Sequence, residues 1–122
     1  MRSFGELENE IMRAVWRADA PVTGHEIADE IRQSRELAYT TIITVVERLR
    51  IKGVLTRFRD GRSYRYEAKL SSEEYAALLM GQVLSDAQNP SGALLRFAGD
   101  LDPAEAAALR AALDAAASSR DD

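Results

Sequence analysis

Between Arg48 and Lys69 the chain carries eight cationic side chains: Arg48, Arg50, Lys52, Arg57, Arg59, Arg62, Arg65 and Lys69. Only Asp60 and Glu67 oppose them, leaving a local net charge of +6. Guanidinium groups at this density suit phosphate oxygens, which they bind bidentately and with release of counterions. Just upstream, Tyr39, Thr40, Thr41 and Thr44 bring hydroxyl groups, with Ile43, Glu47 and Arg48 interleaved. A threonine can donate to a base edge or a phosphate and can touch a thymine methyl. Three threonines in about a turn and a half are unusual in a helix, because threonine is a poor helix former. An ordinary polar helix face or a solvated hairpin tip would use similar residues, but the concentration of eight positive charges favours a nucleic-acid surface.

Other chemistries find little material. There is no cysteine, so disulfides, thiolate catalysis and thiolate metal ligation are excluded. His25 is the only histidine, and a lone imidazole in the first turn of a helix is expected to be solvated rather than a metal ligand. Trp16 reads as core or core edge. Ser71 reads as a helix cap rather than a nucleophile, since no histidine follows it, and Glu73 and Glu74 suit the positive end of a helix dipole. No nucleophile–base pair, metal cluster or phosphate loop is evident, and the expectation is a non-enzyme without cofactor or metal.

The elements that must position the basic and hydroxyl residues can be read from apolar spacing. Leu7, Ile11, Ala14 and Val15 predict a helix over about 5–17, broken at Ala20-Pro21. Thr23 and Glu26 form a capping box opening a second helix, about 24–33, with Ile27 and Ile31 on its apolar stripe. Gln33 to Glu36 is a polar connector. Ile42, Val45, Val46 and Leu49 predict a third helix over about 39–52, ended by Gly53. Asp60-Gly61 between two β-prone runs predicts a hairpin with a type I′ turn. A two-residue loop there would set Arg59 opposite Arg62, Arg57 opposite Tyr64 and Leu55 opposite Tyr66. Facing arginines repel, which would make sense with a phosphate between them. Further on, Ser71 and Glu74 cap a fourth helix, a short helical piece covers about 91–98, and Asp102, Pro103 and Glu105 open the last helix.

Three helices followed by a Gly-turned basic hairpin is the plan of a winged helix-turn-helix. The expected class is mainly α with a small β-hairpin: a winged-helix DNA-binding domain at 1–70, then a helical dimerisation domain at 71–122. Charge supports the division, since residues 1–70 carry a net +2 and residues 71–122 a net −6, together the −4 of the whole chain. The tail stripes, Tyr75, Leu78, Leu79, Leu94, Leu95, Phe97, Leu109 and Leu113, are too sparse to bury much alone and fit half of a dimer interface. No apolar run approaches the roughly 20 residues of a membrane span, and no secretory pattern is present; a cytoplasmic protein is expected.

The run Tyr39-Thr40-Thr41-Ile42-Ile43-Thr44-Val45-Val46-Glu47-Arg48-Leu49, then Lys52-Gly53, resembles the recognition-helix signature of the penicillinase repressor (BlaI/MecI/CopY) family. Leu7 to Met12, Val15-Trp16, Thr23 to Ile27, and Asp60-Gly61-Arg62 with Tyr64 and Tyr66 are similar as well, so that the resemblance spans about 4–117. It implies a homodimer that binds a palindromic DNA operator and blocks transcription. The implied base-reading residues are Thr41, Thr44 and Arg48, with Tyr39 and Thr40 near the helix start. Arg59 and Arg62 would make the wing contacts, and the spacing adds Arg57 and Arg65. In family members that control β-lactam resistance, a cell-wall antibiotic signal reaches the repressor through a membrane sensor protease that leads to cleavage in the tail before a Phe-Ala pair. The matching stretch places that cut between Arg96 and Phe97, where the family pattern has Asn in place of Arg96. The copper-responsive branch uses paired tail cysteines, which this chain lacks. Two other readings compete: induction by a small ligand in the dimer cleft, and a winged helix that binds protein rather than DNA.

Overall fold

The computed structural model describes residues 4–120. In chain order the elements are α1 (Phe4–Arg17), β1 (Val22–Thr23), α2 (Gly24–Arg32), α3 (Tyr39–Lys52), β2 (Leu55–Asp60), β3 (Ser63–Ala68), α4 (Ser72–Asp86), α5 (Pro90–Gly99) and α6 (Pro103–Arg120). The architecture is a winged helix-turn-helix followed by helices. The chain divides into two compact units between Leu78 and Leu79, so α4 contributes to both.

The first unit holds the core. Ile11, Met12 and Val15 from α1, Ile27 and Ile31 from α2, and Ile42, Val46 and Leu49 from α3 are all buried, closed by Val54, Leu55 and Tyr66. Three β-branched residues of α3, Ile42, Val45 and Val46, are therefore interior packing residues, and tertiary burial overrides their weak helix propensity. α3 ends in a Schellman arrangement: Gly53 takes φ +88°, its N–H donates to Arg50 O, and the N–H of Val54 donates to Leu49 O. This places buried Val54 back over buried Leu49 and turns the chain into β2.

The expected two-residue hairpin loop is present, but its residues are Gly61-Arg62 rather than Asp60-Gly61. Asp60 pairs with Ser63, Arg59 with Tyr64, Arg57 with Tyr66 and Leu55 with Ala68. The physical reason is backbone sterics. A type I′ turn at Asp60-Gly61 would put Asp60 at positive φ, whereas here the only positive φ in the turn belongs to Gly61, at +67°. A glycine at the first central position suits a type II′ turn. The slip is an even number of residues, so side-chain parity survives and Leu55, Tyr64 and Tyr66 still share a face. Arg59 and Arg62 are not cross-strand partners, and the expected like-charge pair does not form.

A strand that apolar spacing did not suggest completes the sheet. Val22 and Thr23 pair antiparallel with Tyr66 and Arg65, giving the order β1-β3-β2. The same Thr23 accepts from the N–H of Glu26 at 3.1 Å and caps α2, so two residues serve as both strand and helix start. Two ties were also invisible in the sequence. Glu8 is buried on α1 and pairs with Lys52 Nζ at 3.0 Å. Arg35, in the connector before α3, pairs with Glu10 and Glu6 of α1.

α4 begins with the expected capping box, in which Ser71 and Glu74 exchange bonds of 3.0 and 3.1 Å; the Ser71 backbone and hydroxyl hold the Glu74 carboxyl below the usual range. The first turn of α4 belongs to the first unit through Tyr75, which is buried edge-on against Trp16 with ring centroids 5.8 Å apart. Burial, and after it the charge of Glu8, pushes the Tyr75 hydroxyl up to about 12. Trp16 Nε1 donates to Leu70 O at 3.1 Å. In the second unit Asn89 caps α5 through Gly92 N, with Pro90 in its first turn, and Asp102 and Glu105 form the expected box opening α6. No helix among the described residues is long and apolar enough to cross a membrane.

Candidate nucleic-acid interface

Successive helix positions are about 100° apart. On α3 that spacing opposes the buried Ile42, Val45, Val46 and Leu49 with an outward stripe centred on Thr40, Thr44 and Ile51. Thr41 and Arg48 flank this stripe on one side. Glu47, Ile43 and Tyr39 flank it on the other, toward α2 and the sheet. Thr40, Thr41 and Thr44 are exposed, while Tyr39 and Arg48 are partly buried. The Thr44 hydroxyl donates to Thr40 O at 2.6 Å. Its proton is thus used within the helix, leaving the methyl group and the oxygen lone pairs to face outward. Ile51, 76 % exposed, was not singled out from the sequence; a large apolar side chain amid threonines and arginines is suited to thymine methyls or sugar carbons.

Tyr39 is held back rather than extended. Its ring stacks on His25, 4.4 Å between centroids and 12° from parallel. Its hydroxyl lies where α2 makes its closest approach, at Gly24: a Cβ on Gly24 would stand 3.1 Å from Tyr39 Oη and 2.6 Å from Ile43 Cδ1. The absence of a side chain at Gly24 therefore sets how closely the start of α2 packs on α3. His25 is exposed, as expected, but its ring is engaged in this stack. Among the described residues, no group of three or more His, Cys, Asp or Glu is placed to hold a metal ion.

The wing arginines fall into two sets. Arg59 and Arg62 are exposed at the hairpin end. Arg57 and Arg65 are tied to the body of the first unit. Arg57 Nη1 bonds Glu47 Oε1 at 3.0 Å, and its guanidinium lies 4.1 Å from the centre of the Tyr64 ring. Arg59 approaches the same ring at 5.8 Å. Arg65 bonds Asp60 at 2.6 Å and Pro21 O at 3.1 Å, with Glu26 at 3.6 Å, fastening β3 to the residues around β1. In the sequence all four stand as equivalent charges, and their partners are defined only by the fold.

Glu47 joins α3 to the sheet. Its Oε1 receives Arg50 Nε at 3.1 Å as well as Arg57, and its Oε2 accepts the Tyr66 hydroxyl at 2.7 Å. Desolvation opposes the Glu47 charge, but Tyr66, Arg50 and Arg57 outweigh it and hold the carboxyl below its usual range. The reciprocal effect, burial first and the Glu47 bond second, pushes Tyr66 up to about 12. Glu47, Arg57, Tyr64 and Tyr66, with His25 and Tyr39 opposite, line a cleft of about 360 Å³ between α2, α3 and the wing.

In the second unit the expected contact residues are open. Leu94, Leu95, Phe97, Leu109 and Leu113 are exposed, Leu95 at 74 %, and α4 adds Met80 and Val83. An apolar groove runs between α4 and α5, lined by Leu79, Val83, Leu84, Leu94 and Phe97. Leu78 is also exposed. Leu79 is half-buried, and Tyr75 departs from this set, being packed on Trp16 within the first unit. Arg96 and Phe97 lie inside α5, both exposed.

The sequence profile of the penicillinase repressor family matches residues 4–115. The chain is 35 % identical over 113 residues to the transcriptional regulator BlaI of Mycobacterium tuberculosis, in strains CDC 1551 and H37Rv; the match covers 90 % of this chain and 82 % of the relative. Among solved structures it is similar to the Bacillus licheniformis BlaI monomeric form in complex with the blaP half-operator, at 26 % identity and TM-score 0.50 over 57 % of this chain and 83 % of that one. The DNA-binding domain of the repressor BlaI superposes with TM-score 0.52 at 24 % identity, over 62 % of this chain and 94 % of that domain, a likeness of fold. The chain therefore belongs to the penicillinase repressor family of transcriptional regulators.

Proposed function

We propose that the protein is a sequence-specific DNA-binding repressor that acts as a homodimer on a palindromic operator. The observation that carries this reading is the outward stripe of α3, where Thr40, Thr44 and Ile51 lie beside Thr41 and Arg48, next to a wing whose exposed end bears Arg59 and Arg62. Such a helix fits a major groove, reading base edges from its N-terminal turns, while the wing arginines take backbone phosphates. The B. licheniformis relative solved with a half-operator supports the same use of this fold. Two copies, joined through the open apolar faces of the second unit, would read two half-sites about one helical turn apart. Relief of repression would follow cleavage at Arg96–Phe97 by a sensor protease. Because that bond lies within α5, cutting requires the helix to unwind locally, and it would divide the residues that join the two copies.

The test is a titration against the DNA upstream of the protein's own gene and against random duplex, at two salt concentrations. The reading expects tight binding that resists random competitor and weakens with salt. Arg62→Ala should weaken both DNAs alike and flatten the dependence of log K on log salt by about 0.9. Binding no better than to random duplex, together with a genome-wide pull-down that comes back empty, would leave the basic wing to a protein partner. An N-terminal fragment ending at Arg96 and a tail fragment beginning at Phe97, sought by undigested intact-mass spectrometry in cells treated with a cell-wall antibiotic, test the induction step; derepression with an intact chain would point to a ligand instead.

A further inference from the structure

Glu47 is a carboxylate in the most basic stretch of the chain, on the flank of α3 that faces the wing. It has the wrong charge for a surface that approaches phosphates. Its ion pairs are half-buried, with the Glu47 side chain 29 % accessible, and help to fasten α3 to the wing. They also act on the positive groups. One oxygen engages both Arg50 and Arg57, at 3.1 and 3.0 Å, and the other is fixed by the Tyr66 hydroxyl at 2.7 Å. Arg57 is also stacked over Tyr64. Glu47 alone thus engages two of the eight cations of 48–69, while the threonine stripe is untouched.

Binding to DNA at large is set mainly by how many phosphates are neutralised, whereas specificity is the ratio of operator to random binding. A group that occupies arginines lowers the term common to all sequences without touching the residues that discriminate. We propose that Glu47 is a positioning residue for specificity: by holding Arg50 and Arg57 against α3 and the wing, it withholds them from the DNA backbone and suppresses binding to sequences at large. This rests on the DNA-binding reading above.

The experiment compares the full-length wild type with Glu47→Gln on a duplex selected by the wild type from a random pool and on random duplex, over a salt series. Glutamine has the same shape and can still accept from Tyr66, but it carries no charge for the arginines. The expected result is tighter binding to random DNA, a salt slope steeper by up to about 1.8 for two further phosphates at about 0.9 each, and a smaller operator-to-random ratio. Adding Arg50→Gln and Arg57→Gln to that variant should return the slope to the wild-type value. Loss of affinity on both DNAs with no change of slope would make Glu47 a structural strut and overturn the proposal. Loss confined to one base pair of the operator would make it a direct reader of a base edge, and would also overturn it. A wild type that selects no sequence from the pool defeats the DNA-binding reading itself, a result separate from either.

Discussion

At the scale of single residues, Thr44 has the most specific expectation. Its proton is committed to Thr40 O, so a base pair could meet only its methyl group or its oxygen lone pairs, and the methyl group is the contact expected. Thr44→Val, which keeps that methyl, should hold operator affinity within about twofold. Thr44→Ser, which removes it, should cost about 0.8 kcal/mol, roughly fourfold. The reverse order in a binding titration would mean that the hydroxyl oxygen does the reading. Gly24 can be tested without DNA. A Cβ there would stand 2.6 Å from Ile43 Cδ1, so Gly24→Ala must displace α3 from α2 or force Ile43 off its rotamer. A loss of about 1–3 kcal/mol in chemical denaturation is expected. A gain would show that Ile43 swings aside freely and that helix propensity wins.

At the scale of elements, the hairpin shows what can and cannot be read from the chain. The Asp60-Gly61 pair located the turn, and alternation placed Leu55, Tyr64 and Tyr66 on one face. The register depended on which residue takes positive φ, and only the backbone decides that in favour of Gly61. Gly61→Ala should cost about 1–2 kcal/mol through the left-handed conformation and weaken DNA binding further by moving Arg62, whereas Asp60→Asn should leave the turn intact. Helix spans, the Gly53 stop and all three capping boxes were legible because each depends on neighbours in sequence. β1 was not: two residues already used as a helix cap give no periodic signal, and their partners Tyr66 and Arg65 lie more than forty positions away. The division of the wing arginines into exposed and committed sets was hidden for the same reason, since Glu47, Asp60 and Glu26 select among them only after folding.

At the scale of the whole molecule, protonation and association give the clearest measurements. Tyr66 and Tyr75 are each pushed up to about 12 from an ordinary value near 10. An acid whose folded pKa is raised contributes stability that is complete below the unfolded value and is lost as pH rises toward the folded one. Melting temperature should therefore fall between about pH 10 and 12, less steeply for Tyr75→Phe, which keeps the ring against Trp16 and has no proton to lose there. An identical fall in both proteins would place the alkaline transition elsewhere. Association is tested by Leu95→Glu: Leu95 is 74 % exposed, so the charge should leave the fold stable, while sedimentation should show a dimer for the wild type and a monomer for the variant. An unchanged dimer would move the interface to the α4–α5 groove.

Trp16 is the chain's only tryptophan, and its indole bonds Leu70 and meets the ring of Tyr75 just where the wing gives way to α4. The protein therefore carries its own optical gauge close to where the chain passes from the first unit into the second. Emission from this one ring can follow operator loading, or a cut in α5, in real time and without a label. A spectrum that stays fixed through both would show that neither event disturbs the seam between wing and α4.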